Sequence, residues 1–208
     1  MRDKLSQYIE DHLRHPNPVL DELDRAYRDD DDREAGPPHI GKQVGAFLFW
    51  IIRLIEAREV LEFGTAVGYS TIYLAQALQE TGGRLTAIEK DEGLFQRTAQ
   101  NVRRAGLSGT VELIHGDAGE VLDRLPGPYD LILQDAAKAL YPAMLPRCID
   151  RIRPGGVLAA DDALFRPMGV REELAGVIDE YNRLVFAHPQ LTSTILPIGD
   201  GLTISVKR

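Results

Sequence analysis

Segments with strand-like and helix-like patterns alternate from about residue 41 to residue 162, and this alternation restricts the fold more than any other feature. Strands joined by intervening helices form mostly parallel sheets with helices on both faces. The sequence therefore predicts an α/β fold with a doubly wound, mostly parallel sheet. The predicted strands are 58–63, 84–90, 110–116, 129–135 and a fifth that follows a turn at 153–156 and ends at 162, and the predicted helices are 41–56, one from 69, 92–105, one from 117, and 139–152.

Both ends of the chain depart from this alternation. Residues 3–14 and 17–33 have helical spacing, and we interpret "DDDD" at 29–32 as a solvated helix end or loop rather than a lid. The tail segments "LTSTILPI" and "GLTISVKR" are strand-like and joined through Gly199–Gly201, which predicts an antiparallel hairpin. We expect one domain over 1–208, with a helical appendage over 1–40 and the core over 41–208.

Charge and cysteine content limit the classes of partner. The chain has 24 Lys and Arg against 32 Asp and Glu, so a broad phosphate-binding surface would oppose its average field. This balance favours small-molecule chemistry over nucleic-acid binding. Cys148 is the only cysteine, which excludes an internal disulfide and predicts buried packing in a reducing compartment. No apolar run approaches the ~18 residues of a membrane span, so we predict a cytoplasmic protein without membrane contact.

The stretch "VLEFGTAVGYS" at 60–70 lies where a predicted strand enters a helix, at the sheet edge where open α/β folds bind ligands. Gly64 and Gly68 permit close backbone approach, but the spacing is not that of a diphosphate-binding loop. Glu62 would repel a diphosphate and attract a cation. S-adenosylmethionine fits this pattern, with Glu62 near its cationic end and the free N–H groups at the helix start, helped by the Ser70 hydroxyl, at its carboxylate. The alternative is a tight turn in which Ser70 caps the helix.

Two further strand ends extend the predicted cofactor site. Glu89 ends the second strand at about the spacing at which a carboxylate meets ribose hydroxyls in dinucleotide folds. The alternative is an exposed glutamate at the strand end. Asp117 and Ala118, in "GDAGE", follow the third strand and could border the adenine. Asp117 with Glu120 also matches a capping box, and this alternative stays open.

Carboxylates also end the fourth and fifth strands, which are neighbours in the predicted sheet. Asp135, Asp161 and Asp162 would repel one another without a cation, and oxygen ligands select Mg²⁺, Ca²⁺ or Mn²⁺. The alternative is that Asp162 caps the next segment and Asp135 only approaches the cofactor. Lys138 lies near the same edge, where desolvation and a nearby cation would disfavour its charged form and make it a general base. A surface salt bridge is the other interpretation.

In these motifs the chain resembles the cation-dependent class I O-methyltransferases, the group with the caffeoyl-CoA and catechol enzymes. The motifs are "VLEFGTAVGYS", "AIEKD", "DLILQDAAKALY", "GGVLAADD" and "LPIGDGLTI", and the resemblance covers about 36–208. It implies a Rossmann-like seven-stranded sheet with a final hairpin, S-adenosylmethionine as methyl donor, and a homodimer. It also implies three sets of site residues. The cofactor contacts are Ile40, Glu62, Gly64, Thr65, Ser70, Glu89 and Ala118; the metal ligands are Asp135, Asp161 and Asp162; and Lys138 is the catalytic lysine.

Two positions depart from the family pattern. Asp162 stands where asparagine is common, and Ala137 replaces an aspartate. The function expected is metal-assisted methylation of one hydroxyl of a vicinal diol, such as a catechol. The sequence leaves open an enzyme that methylates a hydroxylated or carboxylated tRNA nucleoside, and a cofactor-binding dimeric module without turnover. A nicotinamide dehydrogenase is a weaker alternative.

Overall fold

A computed structural model describes residues 2–28 and 40–208, and this part of the chain forms a sheet flanked by helices. The α-helices are α1 (Arg2–His12), α2 (Pro18–Arg28), α3 (Gly41–Leu54), α4 (Tyr69–Thr81), α5 (Glu92–Arg104), α6 (Ala118–Val121), α7 (Tyr141–Arg151) and α8 (Glu172–Ala187). The strands are β1 (Glu59–Phe63), β2 (Arg84–Glu89), β3 (Val111–His115), β4 (Tyr129–Gln134), β5 (Ile152–Ala160), β6 (Leu191–Leu196) and β7 (Leu202–Lys207). Short 3₁₀ turns at 122–124 and 138–140 precede the loop to β4 and helix α7.

The seven strands form one sheet in the order β3-β2-β1-β4-β5-β7-β6. The first five in this order pair in parallel, and β7 runs antiparallel to both β5 and β6. The predicted α/β fold, with its seven-stranded sheet and terminal hairpin, is confirmed. The strand order reverses beside β1, so the carboxyl ends of β1, β4 and β5 lie next to one another at the switch point.

The central strands are buried on both faces, which explains their continuous apolar runs. In β4, Leu131 and Leu133 pack into one hydrophobic cluster with α3 and α4, whereas Ile132 packs into a second cluster with α7 and α8. Successive side chains of a strand point to opposite faces, and parallel sheets are normally covered by helices on both. Cys148 is free and fully buried in the second cluster, as predicted.

Two local predictions were wrong. Helix α8 was not predicted, although its buried residues Ala175, Ile178, Tyr181 and Val185 recur at helical spacing. The segment 153–156 does not precede the fifth strand but lies inside β5, where the pairing register with β4 shifts between Tyr129 and Leu131. The predicted end of the second helix and the aspartates at 29–32 lie outside the described residues. Among the described helices, none combines the length and apolarity needed to cross a membrane.

Polar contacts attach the amino-terminal helices to the core. The His15 side chain is almost fully buried; its Nε2 lies 2.9 Å from Asp24 Oδ2 and its Nδ1 lies 2.8 Å from the Tyr73 hydroxyl. Asn17 donates to Gln76 Oε1 at 3.0 Å and to the main-chain oxygen of Ala105 at 3.1 Å. Buried polar groups that are all paired specify one arrangement, so these contacts fix α2 and the segment before it against α4.

We predict that Gly64→Ala destabilises the protein far more than Gly82→Ala. Both glycines have a positive φ, +83° and +72°, which costs a non-glycine residue about 1–2 kcal/mol. A Cβ at Gly64 would also lie 2.5 Å from the main-chain oxygen of Asp135, whereas nothing lies within 4 Å of one at Gly82. Thermal unfolding of the two variants measures the difference. Equal losses of thermal stability in the two variants would show that the close approach of Gly64 to Asp135 does not destabilise Gly64→Ala further.

Candidate active site

The carboxyl ends of the central strands open into a cavity of about 970 Å³. Residues from the loops after β1, β2, β3, β4 and β5 line it, together with residues from α1, the start of α3 and the loop between β6 and β7. The predicted site residues that line it are Ile40, Gly64, Glu89, Asp117, Ala118, Asp135, Lys138, Asp161 and Asp162. Thr65, Gly68, Ser70 and Glu62 are not among the lining residues in the described part of the chain, and their cofactor contacts stay predictions.

The glycine loop after β1 is shaped by a close approach to the loop after β4. Gly64 N donates to Ile88 O at 2.9 Å, and Asp135 N donates to Phe63 O at 2.9 Å. Gly68, also at positive φ, precedes α4 as its N-cap. Ser70 therefore lies inside the first turn of α4, and the alternative in which Ser70 caps the helix is wrong.

Glu62 is completely buried behind this loop. Burial raises the pKa of its carboxyl group to about 8, although the Ser70 and Thr71 hydroxyls favour the charged form. Thr71 Oγ1 donates to Glu62 Oε2 at 2.7 Å, whereas Oε1 has no hydrogen bond of acceptable geometry in the described structure. A buried carboxylate oxygen without a donor is costly, so this atom is suited to receive a cationic N–H group.

Glu89 organises the glycine loop from the end of β2. Its Oε2 accepts from Thr65 N at 2.9 Å and Ala66 N at 3.1 Å, and its Oε1 accepts from Asp91 N at 2.9 Å. The alternative of an exposed glutamate is wrong, because Glu89 is buried. Gly64 and Gly68 also donate inside the protein, so these four loop N–H groups are not free to bind an anion. The predicted site for a ligand carboxylate, at the N–H groups that begin helix α4, stays a prediction.

Asp117 has two roles at the far end of the cavity. It is the N-cap of α6, where its side chain accepts from Gly119 N at 2.9 Å. Its other oxygen pairs with Lys90 Nζ at 2.9 Å, and this ion pair lowers the pKa of Asp117. The predicted cap is thus present, made through Gly119, and Asp117 and Ala118 still line the cavity. Capping and ligand contact are therefore compatible at this position.

The three predicted metal ligands converge at the ends of β4 and β5. Asp135, Asp161 and Asp162 each offer one ligand atom, and these atoms lie within 4.8 Å of one another. Asp162 has φ +68°, a left-handed conformation that aspartate and asparagine tolerate better than most residues. Asp161 is buried, and its Oδ1 has no hydrogen-bond partner in the described structure. Oxygen ligands at this spacing are suited to a hard divalent cation.

Burial and mutual repulsion raise the pKa values of two of these groups. The pKa of Asp135 rises to about 6, because desolvation and Asp162 outweigh the attraction of Lys138. Desolvation, with Asp135 and Asp162, raises the pKa of Asp161 well above its ordinary value. A metal ion competes with protons for such groups, so cation affinity is expected to rise with pH through about 6.

Lys138 lies inside this cluster rather than on the surface. Its Nζ is 2.8 Å from Asp135 Oδ1 and 2.7 Å from Asp162 Oδ2, and its side chain is only 14% exposed. The alternative of a surface salt bridge is therefore wrong. The predicted loss of charge assumes a nearby cation and stays a prediction. In the protein alone, burial lowers the pKa of Lys138, but Tyr141, Asp135 and Asp162 outweigh it and raise that pKa above its ordinary value.

Sequence reasoning missed residues that hold the predicted ones in place. The buried Tyr141 hydroxyl accepts from Lys138 Nζ at 3.0 Å and donates to Gln134 O at 2.7 Å, which fixes the position of the ammonium group. Thr71 is the partner of Glu62, and Glu10 of α1 lines the cavity. Tyr141 lies one helical turn after Lys138, a spacing that could have indicated the contact. No local pattern links Glu10 to a site so distant in sequence.

Fold and site together define an open α/β protein that binds a charged small ligand at the switch point of its sheet. The sequence profile of the O-methyltransferase family matches residues 11–208, and the chain belongs to this family. It is 36% identical over 137 residues to a catechol O-methyltransferase from Niastella koreensis, covering 63% of this chain and 62% of that protein. It is 30% identical over 176 residues to caffeoyl-CoA O-methyltransferase 2 of Petunia hybrida, covering 77% of this chain and 72% of that protein.

Solved structures agree with this assignment. An O-methyltransferase from Bacillus cereus in complex with SAH superposes with a TM-score of 0.83 at 27% identity, covering 99% of this chain and 97% of that one. TomG from Streptomyces achromogenes, in complex with SAM, superposes with a TM-score of 0.85 at 25% identity, covering 98% and 96%. The resemblance seen in the sequence is confirmed, and the protein is an O-methyltransferase.

We predict that Glu62→Gln stabilises the ligand-free protein increasingly as pH rises. The folded pKa of Glu62 is raised from 4.5 to about 8, so its contribution to stability is lost as pH rises through that window. The neutral amide avoids this loss, which is on the order of a few kcal/mol above pH 8. Thermal unfolding between pH 5 and pH 9 measures it. Glu59→Gln, on the same strand but partly exposed, is the control, and a parallel response in both variants would contradict the explanation.

Proposed function

We propose that the protein transfers the methyl group of S-adenosylmethionine to one hydroxyl of a vicinal diol of the catechol type, with a divalent cation in the carboxylate cluster. The observation that carries the proposal is the convergence of Asp135, Asp161 and Asp162 within 4.8 Å beside Lys138, in one cavity with the glycine loop. The catechol O-methyltransferase and caffeoyl-CoA O-methyltransferase among its relatives support this substrate class.

The residues of the cluster fit a hard cation. Three carboxylates supply only oxygen ligands, and the buried Asp161 Oδ1 has no partner among the described residues. Asp135, Asp161 and Asp162 would hold a divalent cation such as Mg²⁺, Ca²⁺ or Mn²⁺, which would act as a Lewis acid and lower the pKa of the reacting hydroxyl. Asp162 in place of the common asparagine adds negative charge to the set and would strengthen its hold on the cation.

Lys138 is the proposed proton acceptor. Its Nζ lies within hydrogen-bond distance of two carboxylates, those of Asp135 and Asp162, and of the Tyr141 hydroxyl. In the protein alone these groups keep the lysine charged. Once their charge is shared with a cation they hold the ammonium less strongly, so Nζ can be neutral and accept the hydroxyl proton. Tyr141 orients Nζ throughout.

The methyl donor is proposed to lie along the ends of β1, β2 and β3. Glu62 Oε1, which is buried behind the glycine loop without a described hydrogen-bond partner, is the proposed partner of the ammonium group. Glu89 borders the cavity where the ribose hydroxyls would lie. Asp117 and Ala118 form the adenine end, and Ile40 covers the methionine end from the start of α3. Thr65, Gly68 and Ser70 belong to the loop and helix that support this surface. The donor would supply an electrophilic methyl group on its sulfonium. In-line attack by the deprotonated oxygen would form the O–CH3 bond as the S–CH3 bond breaks, and S-adenosylhomocysteine would leave with the electron pair on sulfur.

We predict that Lys138→Ala lowers kcat for catechol methylation by at least about 10²-fold, the usual contribution of a general base. Binding of S-adenosylhomocysteine, measured by calorimetry, should change little because Lys138 is placed at the acceptor oxygen. Lys138→Arg is the sharper variant: it keeps the positive charge but cannot release a proton near neutral pH. An active Lys138→Arg enzyme with normal cofactor binding would show that the lysine acts only as a charge.

We also expect methyl transfer to require a divalent cation. Turnover of a catechol in excess EDTA should fall to background and return on addition of Mg²⁺, with an apparent cation affinity that rises with pH through about 6. Asp161→Asn should weaken cation affinity, because it removes a ligand charge without changing shape. The measurement is initial rate against free cation concentration. Undiminished turnover in EDTA would remove the cation from the mechanism.

Nucleic acid is not the proposed acceptor, because most of the charged residues that line the described cavity are acidic. A homodimer remains our proposal for the assembly. It is supported by exposed apolar side chains on α3, where Trp50 and Leu54 are 55% and 60% exposed. Cytoplasmic location likewise stays a prediction.

A further inference from the structure

The cavity has far more negative than positive side chains, and this imbalance restricts the acceptor. Eight carboxyl groups and two lysines line it among the described residues. Lys90 is paired with Asp117, and Lys138 is held between Asp135 and Asp162. Even with a sulfonium donor and a divalent cation present, carboxylates outnumber positive charges. An acceptor rich in phosphate, such as a coenzyme A thioester, would enter against this field.

Glu10 lines the cavity from helix α1 rather than from the sheet, and it contacts Lys42 and Gln43 at the start of α3, next to Ile40. Its Oε1 accepts a hydrogen bond from the neutral Gln43 amide at 3.2 Å. The neighbouring Lys42 ammonium group bonds to the main-chain oxygen of Glu10, at 3.2 Å, and not to its carboxylate. Gln43 also donates to Ser6 at 2.5 Å, so the amide joins α1 to α3. The carboxylate is thus positioned without a described cationic partner.

From this geometry we propose that Glu10 determines acceptor specificity by favouring a diol that carries a protonated amine. The proposal rests on the proposed function, because it concerns the acceptor of that same reaction. A carboxylate and an ammonium group form charge-assisted hydrogen bonds that a neutral or acidic substituent cannot form. The surrounding carboxylates act in the same direction by attracting a cationic diol into the cavity.

The test compares catechols of equal size that carry an aminoethyl, an ethyl or a carboxyethyl group, together with a coenzyme A thioester of a diphenol. For the wild-type protein with Mg²⁺, we expect kcat/KM to fall in that order. In Glu10→Gln, the ratio of kcat/KM for the aminoethyl over the ethyl catechol should fall about tenfold, as for the loss of one charge-assisted contact. Asp11→Asn is the matched control, since Asp11 is the next residue of α1, is exposed and does not line the cavity. It should leave the ratio unchanged.

A binding measurement separates this inference from the proposed function. Calorimetry measures the affinities for the aminoethyl and ethyl catechols in the presence of Mg²⁺ and S-adenosylhomocysteine. In Glu10→Gln, the ratio of these two affinities should fall by the same factor as the ratio of kcat/KM. Discrimination in binding without turnover of any diol would reject the proposed function and leave the role of Glu10 intact. Preference for the coenzyme A thioester, or a Glu10→Gln ratio equal to that of the wild-type protein, would overturn the inference.

Discussion

Carboxylates brought together at one edge of a parallel sheet need positive charge nearby, and this requirement organises the site. Asp135, Asp161 and Asp162 end two adjacent strands, and burial makes their repulsion stronger than it would be in water. In the protein alone, Lys138 supplies the compensation through two ion pairs. A divalent cation would share that task, and the lysine could then take part in proton transfer. The same electrostatic need thus connects the ligand set to the proposed base.

The cofactor end and the carboxylate cluster are connected through the backbone. Gly64 packs against the main chain of Asp135 so closely that no side chain fits between them. The loop that would hold the donor and the residue that would hold the cation are therefore fixed relative to each other. Glu89 supports the same loop through its N–H groups, whereas Glu62 keeps one oxygen without a described partner. In-line methyl transfer needs this fixed spacing between donor and acceptor.

The amino-terminal helices contribute to the proposed acceptor end of the cavity through Glu10. The buried His15 contacts and the Gln43 amide hold α1 and α2 in place, and α1 brings Glu10 to the cavity. Methyl transfer chemistry can be shared by enzymes whose acceptors differ, because acceptor choice depends on walls outside the sheet. In the described part of this chain, Glu10 places a carboxylate on that wall.

The sequence by itself determined the alternation of strands and helices, the terminal hairpin and the strand ends at which charged residues collect. Apolar runs and glycine positions are local signals, and parallel strands place their carboxyl ends at one edge whatever the details. Helix α8 also had a periodic pattern, through Ala175, Ile178 and Val185, although it was missed. Only the tertiary structure decided the charge of Lys138, the hydrogen bonds from the loop N–H groups to Glu89, and the position of Glu10 at the cavity. These depend on distances between residues remote in sequence, and over a few ångströms a hydrogen bond is lost and an ion pair weakens.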